Sequence, residues 1–310
     1  MIVAGIDIGT LTCRLLIANV GSEGSLREID SDRRILRLGE GVDQKGILHV
    51  EAMERVIHVL GEWRKIIVRC QVEAIVLVAT SAVREANNQQ EFLERVKLET
   101  GFSIDVLSGD EEARRTLLGI KFGLPSEVED YVGLDIGGGS TECIRISGDG
   151  PPVVTSLDIG VVRVTERCFQ SDPPQEQDVI AAEQLIKDHL RPLQQGLSAH
   201  AYVTLVGTAG TVTTLAAMAQ QLARYEPARI HNYWLTLEKI RELEYVLRSR
   251  SSDQRTHLSG LEAGREGVIV AGTIILRTIM ETLGFARCLV SDYGLREGIL
   301  IDLMNKKYNR

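Results

Sequence analysis

Two copies of one pattern decide the fold of this chain: Ile6-Asp7-Ile8-Gly9-Thr10-Leu11-Thr12, and Leu134-Asp135-Ile136-Gly137-Gly138-Gly139-Ser140-Thr141-Glu142. In each copy an apolar strand ends in Asp-Ile-Gly, the chain turns through small residues, and a second apolar strand follows. This order predicts a tight β-hairpin. Because each copy begins one half of the chain, the sequence indicates a duplicated domain.

The predicted hairpins carry groups that suit a phosphate and a metal ion. Glycine lets backbone N–H groups approach an anion closely, and Ser and Thr hydroxyls add donors. The Asp of each copy is able to hold a hydrated metal ion, which makes Asp7 and Asp135 candidate metal ligands. The candidate phosphate-binding residues of the two turns are Thr10, Gly137, Gly138, Gly139, Ser140 and Thr141. Two such hairpins facing each other would grip a polyphosphate from both sides, although two purely structural turns would explain the same pattern.

The bulk composition narrows the class of protein. A length of 310 residues suggests two domains, and 44% apolar with 25% charged residues is ordinary for a globular protein. No run approaches the ~18 apolar residues of a membrane span, and we expect neither a membrane partner nor a signal peptide. Five scattered cysteines without a Cys-x-x-Cys pair favour reduced thiols in a cytoplasm over structural zinc. A net charge of −8 disfavours nucleic-acid binding but permits a small anionic substrate bound by local positive charge.

Strands and helices alternate along the rest of the chain. We expect two short strands near 25–30 and 34–38, a helix near 50–70, and a long apolar helix near 265–283. Residues 124–130 read as a linker between the two halves. The pattern therefore predicts an α/β protein.

Three further segments have both a chemical and a structural explanation. The turn that begins at Gly207 follows an apolar strand and opens a helix, where N–H groups and the helix dipole favour anions, but a tight turn explains it equally well. Arg84 follows a buried strand, at the sheet edge where open α/β sheets bind ligands, or it faces solvent. Glu111 and Glu112 lie in the first turn of a helix, where acidic residues are common dipole partners. The chain has neither the P-loop nor the dinucleotide-binding spacing, which excludes both of those classes.

The paired hairpins resemble those of the actin-like ATPase superfamily, and nearly the whole chain resembles the exopolyphosphatase / guanosine pentaphosphate phosphohydrolase (Ppx/GppA) family. Besides the hairpins, the resemblance runs through residues 37–41, 79–88, 108–114, 207–211, 268–272 and 290–298. It implies two actin-like (ribonuclease H-like) lobes with a phosphate cleft between them. Lobe I would be 1–123 together with a C-terminal helix 295–310, and lobe II would be 124–294. The match is to the short form, without the C-terminal helical domains of longer relatives.

The resemblance also implies roles for single residues. Glu112 corresponds to the family's catalytic carboxylate and Glu142 to the second one, while Asp7 and Asp135 would support Mg²⁺ (or Mn²⁺). The residues expected to hold phosphates, beyond those of the hairpin turns, are Arg84, Gly207 and the two further cations Arg14 and Arg265.

The chain departs from the family pattern at three places that affect fine contacts. Leu11 stands where Asn is usual, Ala209 where Gly is frequent, and Glu266 where the family often has Asp.

The function expected from the resemblance is release of terminal orthophosphate from inorganic polyphosphate by metal-assisted water attack. Guanosine pentaphosphate hydrolysis, an ATP-using activity on the same fold, and a non-catalytic polyphosphate or alarmone sensor are the alternatives. Retention of Glu112, Glu142 and Asp135 argues against the sensor. A homodimer is compatible with the sequence, which does not specify an oligomeric state.

Overall fold

The computed structural model describes residues 1–21, 25–147, 150–193, 197 and 203–308. The chain forms two compact units, a first unit of Met1–Gly119 with Gly294–Arg310 and a second unit of Ile120–Tyr293. The division falls inside a helix, a few residues before the linker that the sequence suggests. The reason is local: the side chain of Ile120 already lies against Gly133, in the first strand of the second unit. The cleft that the resemblance places between the lobes stays a prediction.

The strands are numbered here in chain order. They are β1 Ile2–Ile8, β2 Thr12–Val20, β3 Leu26–Ile35, β4 Ala74–Ala79, β5 Asp105–Val106, β6 Tyr131–Ile136, β7 Thr141–Ile146, β8 Val153–Leu157, β9 Thr204–Thr208, β10 Trp234–Thr236 and β11 Arg287–Val290.

The helices are numbered in the same way. They are α1 Val42–Lys45, α2 Val50–Arg69, α3 Ser81–Glu85, α4 Gln89–Thr100, α5 Gly109–Gly123, α6 Val161–Cys168, α7 Glu176–Leu190, α8 Ala209–Ala219, α9 Pro227–Ile230, α10 Leu237–Arg248, α11 Ser252–Arg255, α12 Ile269–Leu283 and α13 Leu295–Tyr308.

Both units contain the same kind of sheet. In the first unit the strand order is β3-β2-β1-β4-β5, and in the second it is β10-β11-β9-β6-β7-β8. The first three strands of each unit form an antiparallel meander. In the first unit β4 pairs parallel with β1 and β5 pairs parallel with β4, and in the second unit β9 pairs parallel with β6 and β11 pairs parallel with β9. The second sheet adds β10 as an antiparallel edge strand. This repeated topology is the α/β, actin-like (ribonuclease H-like) architecture that the sequence predicts.

The first unit buries both faces of its sheet. One face packs against α2 and α4 and encloses Trp63 and Phe92, both fully buried. The other face packs against α13, whose Ile299 and Leu300 lie in a core with Val3. Gly5 makes this packing close, because a Cβ atom there would come 3.0 Å from both helix side chains. The C-terminal helix therefore belongs to the first unit.

Several predicted element boundaries are wrong, each for a local reason. The two strands expected near 25–30 and 34–38 are one strand, β3, because it pairs with β2 along its length with a single irregularity at Ile17 and Ala18. The helix expected from residue 265 begins at Ile269, since Gly264 has a left-handed φ of 92° and the residues around it form turns. α10 was not expected, although its cap is visible in the sequence: the Thr236 hydroxyl accepts a hydrogen bond from the Lys239 N–H.

The sequence pattern also predicts a helix over 175–195 and a strand from residue 202. The helix, α7, ends earlier, at Leu190, where a 3-10 turn at Arg191–Leu193 follows. The strand is described from Thr204, and residue 202 lies outside the described residues. In the part of the chain that the structure describes, no helix combines the length and the apolar character that a membrane span requires.

Candidate active site

The β1–β2 hairpin places Asp7 directly opposite Arg14. The two residues are cross-strand partners, and Arg14 Nη1 lies 3.5 Å from Asp7 Oδ2. A hydrogen bond of 3.0 Å from the Gly9 N–H to the Thr12 carbonyl closes the turn. Asp7 is buried, whereas the Arg14 side chain keeps 21% of its surface exposed. The hairpin therefore presents a guanidinium that an adjacent carboxylate holds in place.

The turn of this hairpin is fixed from the side by the following loop. The Gly39 N–H donates to the Thr10 carbonyl at 2.8 Å, and the N–H groups of Leu36 and Arg37 donate to the Leu11 carbonyl at 2.9 Å. Both Thr10 and Leu11 are buried. An apolar side chain at position 11 suits this environment, which explains how the chain tolerates leucine there.

Arg84, which is partly exposed, and Glu112, which is buried, form an ion pair at the carboxyl edge of the first sheet. Arg84 lies in the short helix after β4, and its Nη1 atom donates to Glu112 Oε2 at 3.0 Å and to the Leu107 carbonyl at 2.8 Å. Glu112 is 7% exposed. The carbonyl bond fixes the guanidinium, and the guanidinium in turn fixes one oxygen of the carboxylate. The structure thus brings together two of the residues that the sequence proposed separately.

The neighbouring Glu111 has a different role, which the sequence did not resolve. Its Oε2 atom accepts hydrogen bonds from the Ser108 N–H at 3.1 Å and the Ser108 hydroxyl at 3.0 Å. These bonds from Ser108 lower the pKa of Glu111. Glu111 is therefore an exposed helix-capping residue, and Glu112 is the carboxylate that points inward to Arg84.

A row of polar residues crosses the second sheet at the hairpin end of its strands. Asp135 on β6 is the cross-strand partner of Glu142 on β7 and of Thr208 on β9, and Glu142 is the partner of Ser156 on β8. Directly paired residues project from the same face of a sheet. Asp135 is 8% exposed and Glu142 is 0% exposed. We call these four residues, Thr208, Asp135, Glu142 and Ser156, the polar row.

The three glycines of the second hairpin are anchored through their carbonyl groups. The N–H of Val161, at the start of α6, donates to the Gly137 carbonyl at 3.0 Å, and the N–H of Val162 donates to the Gly138 carbonyl at 2.9 Å. Arg163 Nε donates to the Gly139 carbonyl at 2.9 Å. Because these carbonyls face α6, an anion would meet the loop on its amide side.

The hairpin residues that follow are buried and partly committed to structure. Ser140 is 2% exposed, and its carbonyl accepts from the Gly137 N–H at 3.0 Å. The Thr141 hydroxyl donates to the Ile159 carbonyl. Thr141 therefore ties the hairpin to the chain before α6.

The third glycine turn lies where the N-terminal turns of two helices approach each other. A Cβ atom on Gly272 of α12 would lie 2.6 Å from Thr211 of α8, and a Cβ atom on Gly210 would collide with the guanidinium of Arg265. Arg265 is 4% exposed, and its Nε atom donates to Glu262. Gly207 is required by packing, since a Cβ atom there would come 2.9 Å from Cys288 Sγ. The structure therefore places Arg265 at a helix N-terminus as a buried, ion-paired cation.

The two hairpins carry opposite charge patterns at equivalent positions. In the first, the Asp faces Arg14, whereas in the second the Asp faces Glu142. Two carboxylates directly opposite each other repel unless a cation or a shared proton lies near them. A hard divalent cation therefore fits Asp135 and Glu142 better than it fits Asp7. Among the described residues no group of three or more potential metal ligands occurs. Mg²⁺ is usually bound through one or two carboxylates together with water and substrate phosphates.

Two residues that the sequence did not single out belong to this arrangement. The Ser156 hydroxyl donates to Glu142 Oε1 at 2.8 Å, and Arg163 holds the Gly139 carbonyl. Arg163 is 7% exposed and lies in the apolar run Val161–Val164, an unusual place for arginine that is a usable sequence signal. Ser156 has no such signal, because its role follows from strand register.

Buried thiols near the hairpins take no part in this chemistry. Burial raises the pKa of Cys143 to about 12 and, together with the nearby Asp7, raises the pKa of Cys13 strongly. A thiol with a raised pKa is a poor nucleophile and a poor metal ligand at neutral pH.

The chain matches proteins of known family along nearly its entire length. The model of the Ppx/GppA phosphatase family matches residues 16–307. Exopolyphosphatase 2 of Mycobacterium tuberculosis is 35% identical over 314 residues, covering 97% of this chain and 98% of that protein. The crystal structure of the Aquifex aeolicus Ppx/GppA family member has a TM-score of 0.82 at 36% identity, with 99% of this chain and 98% of that chain covered.

A second solved structure extends the likeness. An exopolyphosphatase from Cytophaga hutchinsonii has a TM-score of 0.90 at 27% identity, with 99% of this chain and 98% of that chain covered. The fold, the buried carboxylates and these matches agree. The chain belongs to the Ppx/GppA phosphatase family and is a hydrolase.

Proposed function

We propose that this hydrolase is an exopolyphosphatase, which releases terminal orthophosphate from inorganic polyphosphate. The observation that carries the proposal is the ion pair of the partly exposed Arg84 with the buried Glu112, a fixed cation beside a fixed carboxylate at the ligand-binding edge of a sheet. The related Exopolyphosphatase 2, similar over its whole length, supports the choice of substrate.

Phosphoryl transfer requires positioning and charge neutralisation more than covalent catalysis. In this proposal Arg84 binds an oxygen of the terminal phosphoryl group, and Glu112 orients the attacking water and accepts its proton. The amide side of the Gly137–Gly139 loop and the Ser140 hydroxyl bind further phosphate oxygens. The water oxygen bonds to the terminal phosphorus as the bridging P–O bond breaks. The bridging oxygen keeps the electron pair and leaves as the end of the shortened polyphosphate, and the terminal group is released as orthophosphate.

Asp135 and Glu142 would hold a Mg²⁺ (or Mn²⁺) ion. Such an ion would neutralise part of the negative charge on the phosphate oxygens of the substrate. Asp7, predicted as a metal ligand from the sequence, acts in this proposal mainly through Arg14, to which it is ion-paired. The buried row on the second sheet offers the pair of negative charges that a divalent cation needs.

Free thiols are consistent with work in a reducing compartment. The described cysteines carry no disulfide. We therefore propose a cytoplasmic site of action, in agreement with the scattered cysteine pattern.

A phosphate-release assay tests the proposal. Inorganic polyphosphate, guanosine pentaphosphate and ATP are compared at equal phosphate-chain concentration with Mg²⁺ present. The proposal requires the highest kcat/KM for polyphosphate. A several-fold higher value for guanosine pentaphosphate would establish the alternative phosphohydrolase activity, and binding without phosphate release from any of the three would establish a sensor.

A further inference from the structure

Glu142 occupies the centre of the polar row and has no exposed surface. It lies on β7, the middle strand of the antiparallel meander, with Asp135 opposite on one side and Ser156 opposite on the other. The next row on the same face of the sheet, two residues further along each strand, consists of Gly133, Ile144 and Val154, which are apolar or lack a side chain. The change from apolar to polar residues therefore occurs at one row, where the strands meet the hairpin turn.

A carboxylate in such a position needs hydrogen-bond donors. Burying a charge without compensation is costly, and a neighbouring carboxylate adds to the cost. The Ser156 hydroxyl donates to Glu142 Oε1 at 2.8 Å. A hydroxyl group can donate a single hydrogen bond, and Ser156 donates it to Glu142, which faces Asp135 on its other side.

The bond also constrains the carboxylate geometrically. A hydrogen bond to one oxygen restricts rotation about the terminal torsion of a glutamate, a torsion that is otherwise broad. Hydrogen bonds to a ligating carboxylate commonly set both its orientation and the affinity of its metal ion. The backbone pairing of β7 with β8 sets the position of the donor, so that strand register determines the orientation of the acid.

We propose that Ser156 is a positioning residue for Glu142, which it orients toward the divalent cation shared with Asp135. The inference rests on the proposed function of Glu142. Ser156 itself touches neither the substrate nor the reacting atoms in this assignment.

The test compares Ser156→Ala with Ser156→Thr, which retains the hydroxyl, and with Ser156→Cys, which retains a weak donor of similar shape. Thr155→Ala is the matched control, because Thr155 is the adjacent hydroxyl on β8 and pairs with Cys143 rather than with Glu142. Mn²⁺ binding to each metal-free protein is measured by electron paramagnetic resonance, alongside kcat, KM and the Mg²⁺ concentration for half-maximal rate.

We expect Ser156→Ala to weaken Mn²⁺ binding and to lower kcat by about 10- to 100-fold, the usual effect of losing such a support. KM for polyphosphate should change little, because Ser156 contacts no phosphate. Ser156→Thr should stay close to wild type, Ser156→Cys should be intermediate, and Thr155→Ala should match wild type.

Two results would overturn the inference and are distinguishable from failure of the proposed function. If Glu142→Gln is inactive while Ser156→Ala retains wild-type Mn²⁺ binding and kcat, Ser156 does not position Glu142. If Ser156→Thr is as impaired as Ser156→Ala, the loss comes from packing and not from the hydroxyl. A third result would instead contradict the proposed function. If Glu142→Gln keeps full activity and Mn²⁺ binding, Glu142 is not a metal ligand and Ser156 has no such residue to position. Should Ser156→Ala not fold, the threonine and cysteine variants still decide between these outcomes.

Discussion

Two adjacent glutamates have different roles, although they are only one residue apart on the same helix. Glu111 caps a helix through Ser108, whereas Glu112 lies buried beside Arg84. One residue along a helix corresponds to a rotation of about 100°, which is enough to turn one side chain to solvent and the next inward. Sequence alone assigns both residues to the first turn, and only the family resemblance selects Glu112.

Glu112→Gln should abolish turnover while polyphosphate still binds. The amide cannot accept the proton of the attacking water, and general-base catalysis is typically worth ~10²- to 10⁴-fold. Steady-state phosphate release gives kcat, and equilibrium binding of polyphosphate to the variant gives affinity. A variant that keeps more than about a tenth of wild-type kcat, above what that range allows, would remove Glu112 from the catalytic role.

Glu111→Gln is the matched control, and its effect should be on stability alone. The folded-state pKa of Glu111 is lowered from 4.5, so its ionised form stabilises the protein above that value, and the contribution is lost as pH falls through the folded pKa. The variant should therefore melt slightly below wild type at pH 7, with the difference disappearing in acid, while kcat is retained. A loss of kcat comparable to that of Glu112→Gln would contradict the separation of roles.

Ala209→Gly should stabilise the protein by up to about 1 kcal/mol. Ala209 has a φ of 66°, the left-handed region that costs a residue with a Cβ atom about 1–2 kcal/mol, part of which the added chain entropy of glycine offsets. Thermal and denaturant unfolding measure the change, and an unchanged or lower stability would show that the turn has adapted to alanine.

At the scale of elements, the two hairpins share a backbone but not a charge pattern. Register pairs Asp7 with Arg14 in one and Asp135 with Glu142 in the other. The first is therefore suited to hold an anion through its guanidinium, and the second is suited to hold a cation. The residue opposite the aspartate, Arg14 in the first hairpin and Glu142 in the second, therefore gives the two hairpins different local charges.

Metal binding should depend on the second hairpin far more than on the first. Asp135→Asn removes one of two facing carboxylates and should weaken Mn²⁺ binding by at least about 10-fold, and exhaustive chelation of wild type should abolish activity. Asp7→Asn should leave Mn²⁺ binding near wild type and raise KM, since it releases Arg14. Calorimetric titration of the metal-free proteins checks this, and equal losses in both variants would return Asp7 to the set of metal ligands.

The local sequence pattern predicts those helices and hairpins whose formation depends only on neighbouring residues. Both hairpins follow from turn residues, and the helix expected near 50–70, which is Val50–Arg69 in the structure, follows from hydrophobic periodicity. The pairing of Ser156 with Glu142 and the continuity of β3 depend on strand register, which tertiary packing sets. The candidate site was predictable in its glycines and carboxylates, and not in the residues that support them.

At the scale of the whole molecule, binding of the proposed substrate has to overcome the repulsion between two negative charges. The net charge is −8, and polyphosphate is itself strongly anionic. Binding therefore depends on local positive charges. Each candidate phosphate-binding arginine forms an ion pair with a carboxylate: Arg14 with Asp7, Arg84 with Glu112, and Arg265 with Glu262. Ion pairing positions these cations, and it also makes their attraction short-ranged.

Inorganic polyphosphate should be preferred over guanosine pentaphosphate. Both substrates end in the same phosphoryl group, so the hairpins cannot distinguish them, and a nucleotide specialist needs a pocket of aromatic faces or amide edges for the base. Two aromatic residues of the second unit have other partners: the Tyr225 hydroxyl donates to Asp292, and Arg287 lies 3.9 Å from the centroid of the Trp234 ring. Polyphosphate needs only repeated cationic and N–H contacts, which Arg14 and Arg84 are able to supply.

Recognition through phosphate contacts also predicts a salt dependence that recognition through base contacts would not show. Because the proposed contacts are ionic and the binding arginines keep partial exposure, KM for polyphosphate should rise with ionic strength. Steady-state kinetics with polyphosphate and with guanosine pentaphosphate, in one buffer at two salt concentrations, measures this dependence. A KM that is insensitive to salt, together with a higher kcat/KM for the nucleotide, would mean that base contacts and not phosphate contacts select the substrate.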